Sequence, residues 1–241
     1  MHERRIRLLA PLSVRNEMRF LPGLMANLAP HVDGIVALDD GSTDGTGEYL
    51  DGRPEVVELL RSGPTRAGWD EVGNHRALMA AALRHGADWL LCIDADERVE
   101  REFRSRAEAV IADGERRGVQ AYAVRLRELW DSPRRYRADG LWGRKAVARL
   151  FRALPDHQFD ERPLHAVKAP LQGRIDGQFP LADLEIFHLR MIHREDRLAR
   201  RQRYEQADPE ARWQPGLGYA YLTDEQGLEL RKLEPGRSFS E

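Results

Sequence analysis

Two short acidic stretches hold the residues best suited to chemistry: Asp39-Asp40-Gly41-Ser42-Thr43-Asp44 and Asp94-Ala95-Asp96-Glu97. Each directly follows an apolar, β-prone run, Ile35–Leu38 and Trp89–Ile93. Carboxylates packed this closely at a strand end repel one another unless positive charge lies between them. A hard divalent cation takes oxygen ligands and bridges to phosphate, so the two clusters point to a metal-assisted site for a phosphorylated ligand. Solvated turns use the same residue types. Two such clusters at matching strand ends make that reading the weaker one.

The elements that must position these residues alternate between strand and helix. Arg5–Ala10 reads as a strand, and Phe20, Leu21, Leu24, Met25 and Leu28 mark an amphipathic helix before the Ile35–Leu38 strand. Strand, helix, strand at this spacing implies a right-handed parallel crossover. A short helix over Thr46–Leu50, a strand over Glu55–Leu60 and a helix over Asp70–His85 follow. Arg76 falls on the apolar stripe of that last helix, with Val72, Met79 and Leu83. An inward arginine needs an anionic partner, either one of the motif aspartates or a diphosphate. Beyond the Trp89–Ile93 strand, the pattern predicts a charged helix over Arg98–Arg117, strands over Val119–Leu129, Val147–Phe151 and Leu184–Leu189, and a helix over Glu195–Gln206. Arg134–Trp142 reads as turns and Asp208–Glu241 as an irregular tail. In an open α/β sheet, ligands gather at the carboxyl ends of the strands, which is where both acidic clusters lie.

The residues now assembled resemble those of family 2 glycosyltransferases. Asp39-Asp40-Gly41-Ser42-Thr43-Asp44 is similar to the family's Asp-Asp-x-Ser-x-Asp signature, and Asp94-Ala95-Asp96 to the Asp-x-Asp motif of the GT-A fold. Ile93-Asp94-Ala95-Asp96-Glu97 resembles the form found in bacterial transferases that decorate lipopolysaccharide cores and related surface glycans. Ala10–Glu17 resembles the family's opening strand and loop. The resemblance implies an α/β GT-A fold with a mostly parallel sheet flanked by helices. Residues 1–192 would form the catalytic domain (1–100 for the nucleotide sugar, 101–192 for the acceptor), and 193–241 a C-terminal helix and tail.

It also implies roles. Pro11, Ser13, Arg15 and Glu17 would line the nucleoside pocket, and Asp39 or Asp40 would accept hydrogen bonds from base or ribose. Asp94 and Ala95 would approach the nucleotide, with Arg76 on its diphosphate. Asp96, with Asp94, would hold Mn²⁺ or Mg²⁺, and His188 on the last strand is a third candidate ligand. Family 2 enzymes invert the anomeric centre, so one carboxylate or histidine must deprotonate the acceptor hydroxyl. The cluster His157–His165 supplies Glu161, Asp160 and His165 as candidates, with Glu97 a fourth. Where relatives carry Val-His-Glu, this chain has Leu164-His165-Ala166, without the glutamate.

Composition sets limits on the rest. A net charge of −2 offers no global field for nucleic acid. The arginine run Arg197–Arg203 fits a solvated helix face or a contact with an anionic acceptor or membrane surface. The single cysteine, Cys92, excludes an internal disulfide and reads as a core thiol. No apolar stretch approaches about 18 residues and no leader opens the chain, so a cytoplasmic protein is expected, with peripheral contact at the inner membrane face left open. Trp130, Trp142 and Trp213 suit either sugar stacking or packing. The Gln-x-x-Arg-Trp motif of processive synthases is missing, so a single addition is expected. The implied donor is a nucleotide-diphosphate sugar, first of all a UDP-sugar, and the acceptor a glycan, lipid-linked or small molecule. The rival functions are a catalytically silent nucleotide- or glycan-binding module and a sugar nucleotidyltransferase. The nucleotidyltransferase would normally carry a glycine-rich phosphate loop, but residues 10–20 contain no glycine.

Overall fold

A central run of almost wholly buried strands organises the chain. β1 (Leu8–Val14) pairs in parallel with β2 (Gly34–Asp39) on one side and with β4 (Trp89–Leu91) on the other. β3 (Val56–Arg61) extends the parallel set beyond β2. Continuous apolar runs such as Ile35–Leu38 suit strands covered on both faces, each fully buried Leu or Ile contributing about 1.5–3 kcal/mol. β1 ends later than the sequence suggests, because Pro11 reads as a strand stop yet sits in register with Val36. The computed structural model describes residues 5–62, 70–162 and 166–240, so the expectation for His165 lies outside the described residues.

The sheet continues through β8 (Ala146–Arg152), β6 (Ala121–Glu128), β9 (Leu181–His188) and β5 (Glu97–Val99), in the order β3-β2-β1-β4-β8-β6-β9-β5. β8 lies antiparallel to β4 and β6, β6 and β9 are parallel, and β5 is antiparallel to β9. Four of these seven pairings are parallel, the mixed α/β architecture of the GT-A class. The helices α1 (Leu21–Leu28), α2 (Thr46–Asp51), α3 (Glu71–Arg84) and α4 (Phe103–Arg117) join the strands, and α5 (Arg194–Ala207) follows β9.

Three elements differ from the sequence reading. Arg98 does not open a surface helix; it lies in β5, 4% exposed, and α4 starts five residues later. The tail is not wholly irregular, since β10 (Leu230–Lys232) pairs antiparallel with β7 (Arg135–Arg137) in the stretch read as turns. Arg197, in the arginine run, is buried against Trp130 and donates to Asp131 rather than facing solvent. Trp130 and Trp142 are core residues that pack with Tyr219 and Leu222 of the tail, whereas Trp213 is exposed. Cys92 is buried as expected, and burial pushes its thiol up to about 12.

Candidate active site

The first acidic cluster closes onto the loop after β1. Asp39 Oδ1 accepts from the Ser42 amide at 3.0 Å, while the amides of Asn16 and Met18 donate to Ser42 Oγ and Asp44 Oδ2 at 2.9 and 3.1 Å. Thr43 returns a hydrogen bond to Asn16 Oδ1 at 2.8 Å. Gly47, in the first turn of α2, lies so close to Asp39 that a Cβ there would stand 2.4 Å from Oδ2. Asp40 Oδ1 accepts from Ser62 Oγ at 2.6 Å, but its Oδ2 is buried with no partner among the described residues, as is Ser13 Oγ on β1. A buried unpaired polar atom is costly, so these two point to a ligand that would satisfy them.

The second cluster follows β4 and is lined with cations. Asp94 accepts from Arg149 Nη2 at 2.7 Å and from the Lys168 ammonium. Burial alone would raise its pKa, but Arg149 and then Lys168 outweigh it and hold the carboxyl well below the usual range. The same Arg149 nitrogen reaches Glu97 Oε1 at 2.7 Å, and Glu97 Oε2 accepts the Asp94 amide at 2.9 Å. Asp96 accepts from His188 Nε2 at 3.1 Å and from Arg190, whose guanidinium continues to Glu17 at 2.5 Å. His188 Nδ1 bonds in turn to Glu128. Carboxylates only accept, so an imidazole bonded to two of them is an imidazolium. Burial and Arg200 oppose that charge, yet Glu128 and Asp96 prevail and push His188 up to about 9.

Buried beneath this cluster, Arg98 fixes its backbone. Its guanidinium donates to the carbonyls of Ala95, Glu97 and Phe20 at 3.1, 2.8 and 3.0 Å, tying the Asp-x-Asp turn to the start of α1. Gly23 makes room for it: a Cβ there would meet Arg98 Nη2 at 2.4 Å. Burial lowers this arginine to about 10, against the opposing pull of Asp96.

The structure therefore brings Ser13, Glu17, Asp39, Asp40, Asp94, Ala95, Asp96 and His188 to one edge of the sheet, while Pro11 is buried in mid-β1 and Arg15 is exposed on the adjoining loop. Arg76 is elsewhere. The buried residues of α3 are Asn74, Leu78, Met79, Ala81 and Ala82: Met79 of the expected stripe is buried, but Arg76 is 63% exposed and pairs with Glu161, not with a motif aspartate. The apolar run of α3 covers most of its circumference, which is why the stripe read from sequence was rotated. Asp160 is bound by Arg162 at 2.8 Å, and this contact, against burial, lowers its pKa. The two ring nitrogens of His188 lie against Asp96 and Glu128, and Arg200 Nη1 stands 3.1 Å from Nε2. Among the described residues, no three His, Cys, Asp or Glu side chains converge as a metal cage.

Sequence reasoning missed Arg149, Lys168, Arg190 and Glu128. Arg149 and Glu128 carried a usable signal, as charged residues within apolar strand runs. Lys168 and Arg190 lie in loops and carried none.

The sheet order, with paired acidic ends on its parallel strands, is that of the GT-A fold class. The family described as glycosyl transferase family 2 matches residues 13–163, more than half of the chain. The chain belongs to that family. It is similar to uncharacterized proteins of Mycobacterium tuberculosis and Mycobacterium bovis, 27% identical over 258 residues, covering 96% of this chain. It spans 62% of the length of those relatives. A TPR repeat-containing protein of Synechococcus elongatus is 29% identical over 152 residues, covering 63% of this chain and 33% of its own. Among solved structures, TarS of S. aureus is similar at 14% identity and a TM-score of 0.49, covering 90% of this chain and 41% of that one. Among the described residues no helix is long and apolar enough to cross a membrane.

Proposed function

We propose that the chain is a metal-dependent, inverting glycosyltransferase. It moves a single sugar from a nucleotide-diphosphate donor, a UDP-sugar in the first instance, to a glycan, lipid-linked or small-molecule acceptor. One observation carries the reading: two acidic strand ends meet at one sheet edge, and Asp94 and Asp96 are each bracketed by two cationic groups. Residues 1–100 take the donor, 101–192 the acceptor, and 193–241 support them. We assign the work to the cytoplasm, with peripheral contact at the inner membrane face where the acceptor is lipid-linked.

The donor set suits a hard divalent ion. The Asp94 side chain is 38% exposed, and Mg²⁺ typically uses one or two carboxylates together with substrate phosphates rather than a protein cage. Mn²⁺ or Mg²⁺ held by Asp94 and Asp96 would act as a Lewis acid on the leaving diphosphate. The other roles belong to side chains of the chain itself. Asp40 Oδ2 and Ser13 Oγ, buried beneath this edge, are the groups we assign to the nucleoside. Arg149 keeps Asp94 ionised, and His188 and Arg190 hold Asp96 in place. Lys168, now on Asp94, is free to turn its charge to the diphosphate as negative charge develops there. Glu161 and Asp160 are the described candidates for the base, and His165, outside the described residues, is a third; Glu97 is held by Arg149 and the Asp94 amide, which suits it to shaping the turn.

A thermal-shift screen of nucleoside diphosphates and nucleotide sugars, with and without Mn²⁺, tests the reading, since selective binding raises stability by mass action. Metal-dependent stabilisation by a nucleotide sugar, followed by turnover, supports it. Stabilisation without transfer or donor hydrolysis would instead favour a silent binding module, an alternative kept open by the missing glutamate at Ala166.

A further inference from the structure

Away from the carboxylates, a groove of about 630 Å³ runs along the outer flank of α3 against the segment 154–161. Such a volume lies in the range of small-molecule sites. We infer that this groove binds the acceptor, and that the acceptor portion it takes is a neutral saccharide. The inference rests on the glycosyltransferase reading above and adds to it where the acceptor lies and what its chemistry is.

Four observations carry it. The groove has two kinds of wall. Val72, Met79 and Leu83 on one side and Leu154, Phe159 and Leu171 on the other give apolar surface, while Arg76, Gln158, Asp160 and Glu161 supply donors and acceptors. A pyranose has the matching character, with apolar C–H faces and hydroxyl edges, and an aromatic ring is a platform for such a face. Next, the charges at the groove cancel in place, Arg76 on Glu161 and Arg162 on Asp160, which leaves no net charge to recruit an ionic ligand. The wall is also braced. Leu171 N donates to Gln158 O at 2.7 Å, Gln158 N to Gln172 Oε1 at 3.0 Å, and Phe159 meets the His75 ring edge-on at 4.6 Å. Finally, the groove is tied to the acidic cluster through one lining residue. His75 hydrogen-bonds the backbone of Lys168, whose ammonium is on Asp94. Val72 to Leu83 spans about 16 Å along the helix, enough for more than one sugar ring. Asp160 and Glu161, the candidate bases, stand on its rim, where an acceptor hydroxyl would meet them.

The test uses the whole chain labelled with ¹⁵N-histidine. Methyl β-glucoside, methyl β-galactoside, methyl α-mannoside and methyl β-N-acetylglucosaminide are titrated in turn. The imidazole signals of His75 and His157, both beside the groove, report on binding. At least one glycoside should move these signals and leave that of His31 unmoved. Ala80→Trp fills the groove from an exposed helix position and should weaken the glycoside about tenfold or more. Phe159→Ala should do the same. Nucleotide diphosphate affinity, measured in parallel, should change less than about twofold in the Ala80→Trp protein. The inference is overturned if no glycoside moves the two signals, or if the shifts persist undiminished in Ala80→Trp. Failure of the wild type to bind any nucleotide would instead overturn the transferase reading, so the two failures are distinguishable.

Discussion

His188 Nε2 lies 3.1 Å from Asp96 Oδ2, with the opposite ring nitrogen bonded to Glu128. The second aspartate of the Asp-x-Asp motif is therefore fixed by a buried imidazolium. This has a thermodynamic consequence. A group whose folded pKa is raised contributes stability that is complete below its unfolded pKa and is lost as pH rises through the folded value. For His188 that window runs from about 6.5 to about 9. Urea unfolding of the wild type should lose stability across this window, by up to a few kcal/mol, relative to His188→Gln. Parallel profiles for the two proteins would show that His188 is neutral in the folded state.

Gly47 decides whether Asp39 keeps its position. Alanine within a helix is ordinarily worth up to about 1 kcal/mol over glycine. Here the added Cβ would stand 2.4 Å from Asp39 Oδ2, so the carboxylate must move. Gly47→Ala should weaken nucleotide binding about tenfold in calorimetry without raising Tm. Unchanged affinity would remove Asp39 from the nucleoside pocket.

Arg98→Met should destabilise the fold by about 2–4 kcal/mol in denaturant, because the carbonyls of Ala95, Glu97 and Phe20 lose their donor. A loss below about 1 kcal/mol would mean that water replaces the guanidinium freely.

Much of this was legible in the sequence, and the rest was hidden for definite reasons. The Ile35–Leu38 and Trp89–Ile93 runs announced buried strands, and the acidic residues after them marked their carboxyl ends. Arg76 was misplaced because Ala77 to Leu83 is apolar on nearly every face, so periodicity could not select the inward one. β5 and β10 are three residues each, too short for an alternation to register. The cations facing Asp94 and Asp96 come from β8, from the end of β9 and from loops, 55 to 94 residues distant, and no local pattern encodes such a meeting.

Glu161 and Arg76 form an exposed pair, 65% and 63% accessible, of a kind worth about 0–1 kcal/mol. Arg76→Ala should therefore leave stability and donor affinity nearly unchanged. Glu161→Gln, if this is the base, should lower kcat by about two to four orders of magnitude with donor affinity intact. Asp160→Asn run beside it separates the neighbours. Normal transfer by both variants would take the base away from these two carboxylates, with Glu97 and His165 next to be substituted.

The central claim is that Asp94 and Asp96 hold a divalent ion that a nucleoside diphosphate shares. Calorimetric titration of UDP into wild type, Asp94→Asn and Asp96→Asn, each with Mn²⁺ and with chelator, addresses it directly. The account predicts that Mn²⁺ strengthens UDP binding to the wild type about tenfold or more, and that each substitution abolishes this gain. Equal UDP affinity with and without Mn²⁺ in the wild type, or a full Mn²⁺ gain surviving in Asp96→Asn, would contradict it.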